Sequence, residues 1–193
     1  LRAHQLIEWA VARGTLALRT HVDICDERLL AVRALKHVQR EVKHFFDLQL
    51  VAFPQDGYLR FPKGSQLLEE ALELGVEVVG GIPHFERTSH AGRESIERLC
   101  RLAADRGLLV DMHCDETDDP HSRHVETLAE QTVRFGLEGR VSASHVTSMH
   151  SMDNDYANKL IALISEAQLT VIANPLINIT LQGRQDSYPK RRG

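Results

Sequence analysis

The chain has 193 residues, 42% of them hydrophobic, so it is long enough to bury a sizeable core as one domain. A net charge of −4 offers no basic surface for a polyanion, and no run approaches the roughly 18 apolar residues of a membrane span. These features argue against nucleic-acid and membrane partners. The three cysteines are odd in number and form no CxxC pair, as is usual for reduced thiols in a cytoplasmic protein.

One pattern recurs along the chain: a short apolar run ends in polar residues and is followed by a helical stretch. The runs are 15–23 (TLALRTHVD), 47–55 (DLQLVAFPQ), 76–86 (VEVVGGIPHFE), 108–116 (LLVDMHCDE), 140–148 (RVSASHVTS) and 169–178 (LTVIANPLIN). Strands that are apolar along most of their length are buried on both faces, as in a parallel sheet with helical crossovers. The sequence therefore predicts six parallel strands.

Amphipathic stretches fill the intervals between these runs. Helices are predicted over 1–13, 27–45, 65–74, 94–106, 122–135 and 156–167. Ser65 is the expected N-cap of the third helix, and Gly75 is its expected C-cap. The fold class is α/β, and six strands are too few to close the usual eight-stranded barrel. We expect a partial (β/α)8 TIM-type barrel with outer helices, from the middle of a longer protein.

The carboxyl end of the fourth run carries a chemical signal. His113 follows the apolar residues 108–112, and Glu116 lies three residues later in the emerging loop. Repeating (β/α) units place catalytic groups at the carboxyl ends of their strands. A metal-bound water needs a neutral imidazole ligand on the metal and a nearby group that moves protons, and this pair could supply both. The alternative is a structural histidine beside a solvated acidic loop, 115–119.

His145 occupies the corresponding place on the fifth run. Because adjacent parallel strands are about 4.8 Å apart, His113 and His145 could approach the same small molecule. Gln55 ends the second run, and its amide presents a donor and an acceptor together, which suits a heterocycle with an adjacent N–H and C=O. Phe53 could supply an apolar face. The alternative for Gln55 is a polar loop residue.

Further polar residues near strand ends have weaker interpretations. His84, Asn174 and Asn178 are expected to shape the pocket and to satisfy backbone groups. The His-x-Glu at 124–126 matches the small zinc deaminases, but no Pro-Cys-x-x-Cys follows it, so that family is excluded. His121 and His124 are expected to face solvent at the start of a helix.

The strand-end motifs have a characteristic order along the chain. They are RTHVD at 19–23, VAFPQ at 51–55, IPHFE at 82–86, HCDE at 113–116, ASH at 143–145, and NPL at 174–176 with QGR at 182–184. Together they resemble the bacterial cytosine deaminase family of the amidohydrolase superfamily over essentially the whole chain. The resemblance implies a (β/α)8 barrel that binds one divalent metal ion, iron or zinc. The six predicted strands then correspond to the family's second to seventh.

The resemblance also implies roles for individual residues. His113 is then a metal ligand, Glu116 is the proton shuttle that protonates the ring nitrogen of the substrate, and His145 orients the attacking water. Gln55 reads the amide edge of cytosine, and Phe53 helps to wall the pocket. The family's His-x-His pair and its Asp ligand would lie before and after residues 1–193, so this chain alone is expected to be inactive.

Two hypotheses about function follow. In the first, the chain is the central part of a metal-dependent hydrolase that converts cytosine and water to uracil and ammonia. A relative acting on isoguanine, creatinine or an s-triazine is the runner-up within that chemistry. In the second, the chain is a non-catalytic (β/α) domain that binds a small ligand. The identity of the metal, the preferred base and a homo-oligomeric assembly stay open.

Overall fold

A computed structural model of the chain describes residues 1–183. Six strands form one parallel sheet whose order follows the chain. The strands are β1 (Ala17–Asp23), β2 (Asp47–Phe53), β3 (Val78–Gly81), β4 (Leu109–Cys114), β5 (Val141–His145) and β6 (Thr170–Ile172). The sheet curls into part of a barrel with helices around it, which confirms the predicted α/β class and partial (β/α) barrel.

Helices connect the strands on the outside of the sheet. They are α1 (Arg2–Ala12), α2 (Leu30–Val42), α3 (Gly64–Glu73), α4 (Ser89–Arg106), α5 (His124–Arg134), α6 (Asn154–Glu166) and α7 (Pro175–Leu181), with 3₁₀ helices at Pro83–Phe85 and Thr147–Ser151. None of the helices within residues 1–183 combines the length and the apolar character that crossing a membrane requires.

The four central strands, β2 to β5, are largely buried on both faces, as their composition predicts, whereas the edge strands β1 and β6 are more exposed. Successive residues such as Val51 and Ala52 of β2 have no exposed surface, and neither has Val79 of β3. Ile96 of α4 and Leu128 of α5 are equally inaccessible and pack in the same core. Burying a side chain of this size contributes about 1.5–3 kcal/mol, so these helix faces hold the sheet in its curled form.

The parallel register brings the functional strand ends to one rim. Asp23 at the end of β1 pairs with Phe53 at the end of β2. In the same way, Cys114 at the end of β4 pairs with His145 at the end of β5. Since all six strands run in the same direction, the residues that follow them emerge on the same side of the barrel.

The prediction for the sixth run is wrong in its second half. The strand ends at Ile172, and the residues from Pro175 onward form α7 rather than extending the strand. Proline fits the first turn of a helix because its fixed φ is helical and its missing N–H would have no partner there. This helix carries Asn178 over the carboxyl rim.

Two helix starts also differ from the predictions. Ser65 is not an N-cap, because α3 begins at Gly64 and Lys63 holds the cap position. The fourth helix begins at Ser89 rather than at residue 94, and the Thr88 hydroxyl caps it by accepting the Ala91 N–H at 3.1 Å. The apolar periodicity marks where a helix packs, whereas its polar first turn carries no such signal.

Candidate active site

Most of the predicted site residues surround one cavity at the carboxyl rim. Its volume is about 500 Å³, and its walls include Gln55, His113, Glu116 and His145. A cavity of about 540 Å³ lies at the opposite end, among residues that begin β1, β2 and β5. Because (β/α) barrels keep their active sites at the carboxyl ends of the strands, the first cavity is the candidate active site.

The ring of His113 lies among three other rings. The centroid distances are 4.4 Å to His21, 4.5 Å to Phe53 and 4.8 Å to His145. Burial, assisted by the neighbouring His21 and His145, lowers the pKa of His113 to about 3. The ring is therefore neutral near pH 7, with a lone pair available to a metal ion. Phe53 packs against this ring but is 2% exposed and is not among the residues that line the cavity.

His145 reaches the cavity through a turn of the backbone. On β5, Ser142 and Ser144 face the barrel interior, since one contacts Arg19 and the other lines the cavity. Strict alternation would therefore send the side chain of His145 toward the outer helices. Instead, His145 has φ 76° and Val146 has φ 51°, both left-handed, and the imidazole turns toward His113. Such conformations cost about 1–3 kcal/mol each and persist only where their surroundings hold them.

Asn178 of α7 sets the orientation of the His145 ring. Its Nδ2 donates to His145 Nδ1 at 3.0 Å and to Gln182 Oε1 at 3.0 Å. Nδ1 accepts this bond, so the neutral ring carries its proton on Nε2. Burial lowers the pKa of His145, which favours this neutral form. From the sequence, only a pocket-shaping role was predicted for Asn178, because no local pattern links residues this far apart in the chain.

Glu116 lies beside the same histidine. Its side chain is 13% exposed, and its Oε1 is 3.3 Å from His145 Nδ1 and 3.5 Å from Asn178 Nδ2. Burial raises the pKa of Glu116 above its ordinary value. A carboxyl group with a raised pKa exchanges its proton more readily near neutral pH, as a general acid or base must.

His84 lies next to the candidate site but does not line its cavity. It belongs to a neighbouring cavity of about 530 Å³, whose walls also include Glu116 and His124. Burial lowers the pKa of His84 to about 4, so the ring is neutral near pH 7. Glu116 therefore contributes to the walls of two cavities, one on the side of His113 and one on the side of His84.

Asp115 anchors the loop that carries Glu116. Its carboxylate accepts hydrogen bonds from Ser122 Oγ at 2.7 Å, His124 N at 3.0 Å, His124 Nδ1 at 2.9 Å and Val125 N at 2.8 Å. Burial alone would raise the pKa of Asp115, but these bonds hold it below its ordinary value. Asp115 is fully buried and His124 is 6% exposed. The prediction that His124 faces solvent is therefore wrong, and the alternative of a solvated acidic loop fails at Asp115, although Asp119 of the same loop is exposed.

A charged cluster of Arg19, His21 and Asp111 also lines this cavity, on the inside of the barrel. Asp111 is fully buried and accepts hydrogen bonds from Arg19 Nη1 at 2.7 Å and His21 Nε2 at 3.1 Å. Burial alone would raise the pKa of Asp111, but these partners hold it below its ordinary value. No sequence-based prediction included this cluster. The pattern that could have indicated it is the spacing of polar residues two apart in a strand, Arg19 with His21 and Asp111 with His113, which places both members of each pair on the same face.

The donor atoms at the rim fit a divalent metal ion. One nitrogen or oxygen atom from each of His113, Glu116 and His145 lies within 4.8 Å of the others, and because Asn178 already engages His145 Nδ1, His113 and Glu116 are the free donors of this group. Within residues 1–183, this is the one group of its kind. Imidazole nitrogens and carboxylate oxygens are the donors that zinc and iron sites use.

Comparisons with known proteins extend this description. The sequence matches the Amidohydrolase family over residues 2–193. The chain is similar to the structure of 5-methylcytosine deaminase from Klebsiella pneumoniae liganded with 5-fluorocytosine, with 46% identity and a TM-score of 0.95 over 99% of this chain and 46% of that one. It is also similar to N-isopropylammelide isopropylaminohydrolase from Burkholderia multivorans, with 25% identity and a TM-score of 0.73 over 83% of this chain and 41% of that one.

One curated relative is named for a different heterocycle, a pterin. Pterin deaminase from Rhizobium rhizogenes is 30% identical over 187 residues, which are 95% of this chain and 42% of that protein. The chain thus spans less than half the length of each of these three proteins.

Proposed function

Because this chain belongs to the amidohydrolase family, we propose that it takes part in the hydrolytic deamination of a free nucleobase, cytosine or its 5-methyl derivative. The observation that carries this proposal is the convergence of Gln55, His113, Glu116 and His145 on one cavity. The similarity to a 5-methylcytosine deaminase supports the choice of base. Residues 1–193 would supply the central part of the barrel, the family's second to seventh strands.

A divalent metal ion, iron or zinc, is the cofactor of this proposal. His113 would hold it, since its ring is neutral and lies at the rim beside the carboxylate of Glu116. When bound, such an ion supplies a Lewis acid that lowers the pKa of water toward neutrality.

Glu116 moves protons during the reaction. As the water oxygen bonds to the ring carbon that bears the amine, Glu116 takes up the proton of the water and delivers it to the adjacent ring nitrogen. A second proton, from the new hydroxyl group, then goes to the amine. The C–N bond breaks, and its electron pair leaves with the nitrogen as ammonia while the carbonyl forms. The raised pKa of Glu116 suits a group that must both take and give a proton.

His145 positions the attacking water. With Nδ1 engaged by Asn178, its remaining proton is on Nε2 and can be donated to the water oxygen. A fixed donor of this kind also stabilises the negative charge that develops on that oxygen. The buried Asn178 keeps the ring from turning, so the donor does not have to be reoriented during the reaction.

Gln55 and Phe53 recognise the base. The amide of Gln55 lines the cavity and can pair with an N–H and a C=O on the same edge of the ring. The buried ring of Phe53, whose centroid is 4.5 Å from that of His113, would back the wall of the pocket from behind this ring. A pyrimidine presents both features, a flat face and an amide edge.

Other aminated heterocycles are the alternative substrates. The similarity to pterin deaminase favours a pterin as the second candidate, and the similarity to the ammelide hydrolase favours a triazine as the third. A substrate panel distinguishes them: the full-length protein is incubated with cytosine, 5-methylcytosine, pterin and N-isopropylammelide, and amine release is measured. We expect the highest kcat/KM with a cytosine. Turnover of none of the four, with metal bound, would support a non-catalytic binding domain instead.

A single substitution tests the proposed chemistry. Glu116→Gln keeps the shape of the side chain and removes its proton transfer, so kcat should fall by about 10²–10⁴-fold while the bound metal remains. Glu130→Gln, an exposed position on α5, is the matched control and should retain wild-type activity. A Glu116→Gln variant that turns over cytosine at the wild-type rate would refute the role of this carboxyl group.

We also propose a reducing, cytoplasmic location and a small molecule as the binding partner. Cys25, Cys100 and Cys114 are free thiols, the form that cytoplasmic redox conditions maintain. The candidate site is a concave cavity of a size typical for small ligands.

A further inference from the structure

We infer that His21 is a positioning residue for His113, and that Asp111 holds it in this role. The inference rests on the proposed function of His113 as a metal ligand. Two observations support this role. The ring of His21 contacts the ring of His113, and His21 Nε2 bonds to the buried carboxylate of Asp111.

Ring contacts determine the direction of His113. The His21 ring is its nearest ring neighbour, at 4.4 Å between centroids and tilted by 57°, and Phe53 lies on it at 4.5 Å. In most metal sites a ligating histidine is oriented by a hydrogen bond to a carboxylate. Here the nearby carboxylate, Asp111, bonds to His21 instead. His21 thus stands between the carboxylate and the ligand, and it transmits the orientation through the contact between two tilted rings.

The anchor of His21, Asp111, belongs to a hydrogen-bond network that joins β1, β4 and β5 and extends to Gln49 of β2. Asp111 on β4 binds His21 Nε2 at 3.1 Å and Arg19 Nη1 at 2.7 Å, both from β1. Arg19 also reaches Ser142 Oγ on β5 at 3.1 Å. Since β1 and β4 are not neighbours in the sheet, this cluster spans the barrel interior. His21 therefore cannot swing away from His113 without leaving a fully buried carboxylate short of a partner.

The spacing of the residues explains why one cluster can serve the rim. Arg19 and His21 are two residues apart on β1, as are Asp111 and His113 on β4, so each pair faces the barrel interior. Arg19 and Asp111 form an ion pair. His21 and His113, two residues further along each strand, contribute the two rings that contact each other. The ion pair thereby holds both rings in position.

Metal affinity tests this inference independently of catalysis. The apparent dissociation constant for Zn²⁺ is measured by chelator competition in the full-length protein, together with Tm in the metal-free and the metal-loaded state. His21→Ala should weaken Zn²⁺ binding by about 10- to 100-fold, the range found when the support of a ligand is removed. His21→Phe keeps a ring against His113 and should recover part of that loss. His37→Ala, at an exposed histidine of α2, is the matched control.

The measured Zn²⁺ affinities and Tm values distinguish a positioning role of His21 from a merely structural one. Weaker binding in His21→Ala with recovery in His21→Phe supports the positioning role. A lower Tm in the metal-free state, with Zn²⁺ affinity within about twofold of the wild type, would show a merely structural role and overturn the inference. If His21→Ala does not fold, His21→Asn, which can still bond to Asp111, decides by the same criterion. A wild-type protein that binds no Zn²⁺ or Fe²⁺ would instead refute the proposed function.

Discussion

Replacement of Asp115 by alanine should be the most destabilising change in the loop that carries Glu116. The substitution removes a fully buried carboxylate while leaving its donors in place. Two of those donors are backbone N–H groups at the start of α5, those of His124 and Val125. The others are the side chains of Ser122 and His124. None of these groups gains access to water without local unfolding, because Ser122, His124 and Val125 are themselves buried.

The magnitude follows mainly from these four hydrogen bonds, and the left-handed backbone of Asp115, with φ 52°, adds to it because alanine disfavours this region. Each bond contributes about 1 kcal/mol net, and somewhat more where the acceptor is charged, so the sum is about 4 kcal/mol. Removing one partner from a buried charged pair costs about 3–5 kcal/mol in other proteins, which agrees with this sum. Asp115→Asn should cost less, because an amide oxygen at the Oδ1 position keeps the bonds to Ser122 and His124.

Urea unfolding provides the measurement, with the free energy of unfolding taken from the midpoint and a common slope. The matched control is Asp119→Ala, an exposed aspartate of the same loop, which should change the free energy by less than about 0.5 kcal/mol. If Asp115→Ala costs less than about 1 kcal/mol, the carboxylate does not anchor this loop and the reasoning from its hydrogen bonds is wrong.

Two further predictions concern recognition and pH. Replacing Gln55 by leucine should lower kcat/KM for cytosine by about 5- to 150-fold, the equivalent of about 1–3 kcal/mol for an unpaired ring amide, with bound metal unchanged; an equal loss on a substrate without the N–H/C=O edge would contradict base recognition. Burial raises the pKa of Cys100 to about 12, whereas the thiol pKa in the unfolded chain is about 8.5. The contribution of the buried, protonated thiol to stability is therefore complete below pH ~8.5 and is lost progressively as the pH rises toward 12. The free energy of unfolding should therefore fall by about 1.4 kcal/mol per pH unit more in the wild type than in Cys100→Ala above pH ~9, and parallel slopes would contradict it.

The sequence could predict the sheet because parallel strands buried on both faces require long apolar runs. Val51 and Ala52 are adjacent in the chain and both inaccessible, so neither face of β2 tolerates a polar pattern. The strand-end location of His113 and His145 follows from the same regularity, and the structure brings the two rings together at 4.8 Å.

The surroundings of these residues could not be predicted in the same way. Asp111 and Asp115 look alike in sequence, as acidic residues beside His113, yet one holds an ion pair inside the barrel and the other caps α5. Both arrangements depend on partners in other elements, and periodicity records only which side of its own element a residue faces. The helix from Pro175 was missed because an apolar run of this length is compatible with either a strand or a short helix.

The left-handed backbone at His145 determines which substitution removes its imidazole cleanly. Most side chains disfavour φ near 76°, whereas asparagine tolerates this region well. An alanine or valine at this position would both delete the ring and push the Ser144–Val146 peptides toward extended geometry, and so move the neighbouring loop. Asparagine deletes the ring and leaves the turn intact. Mutational surveys of this rim should therefore use His145→Asn as the reference for loss of the imidazole, and should interpret His145→Ala as a combined change in chemistry and chain direction.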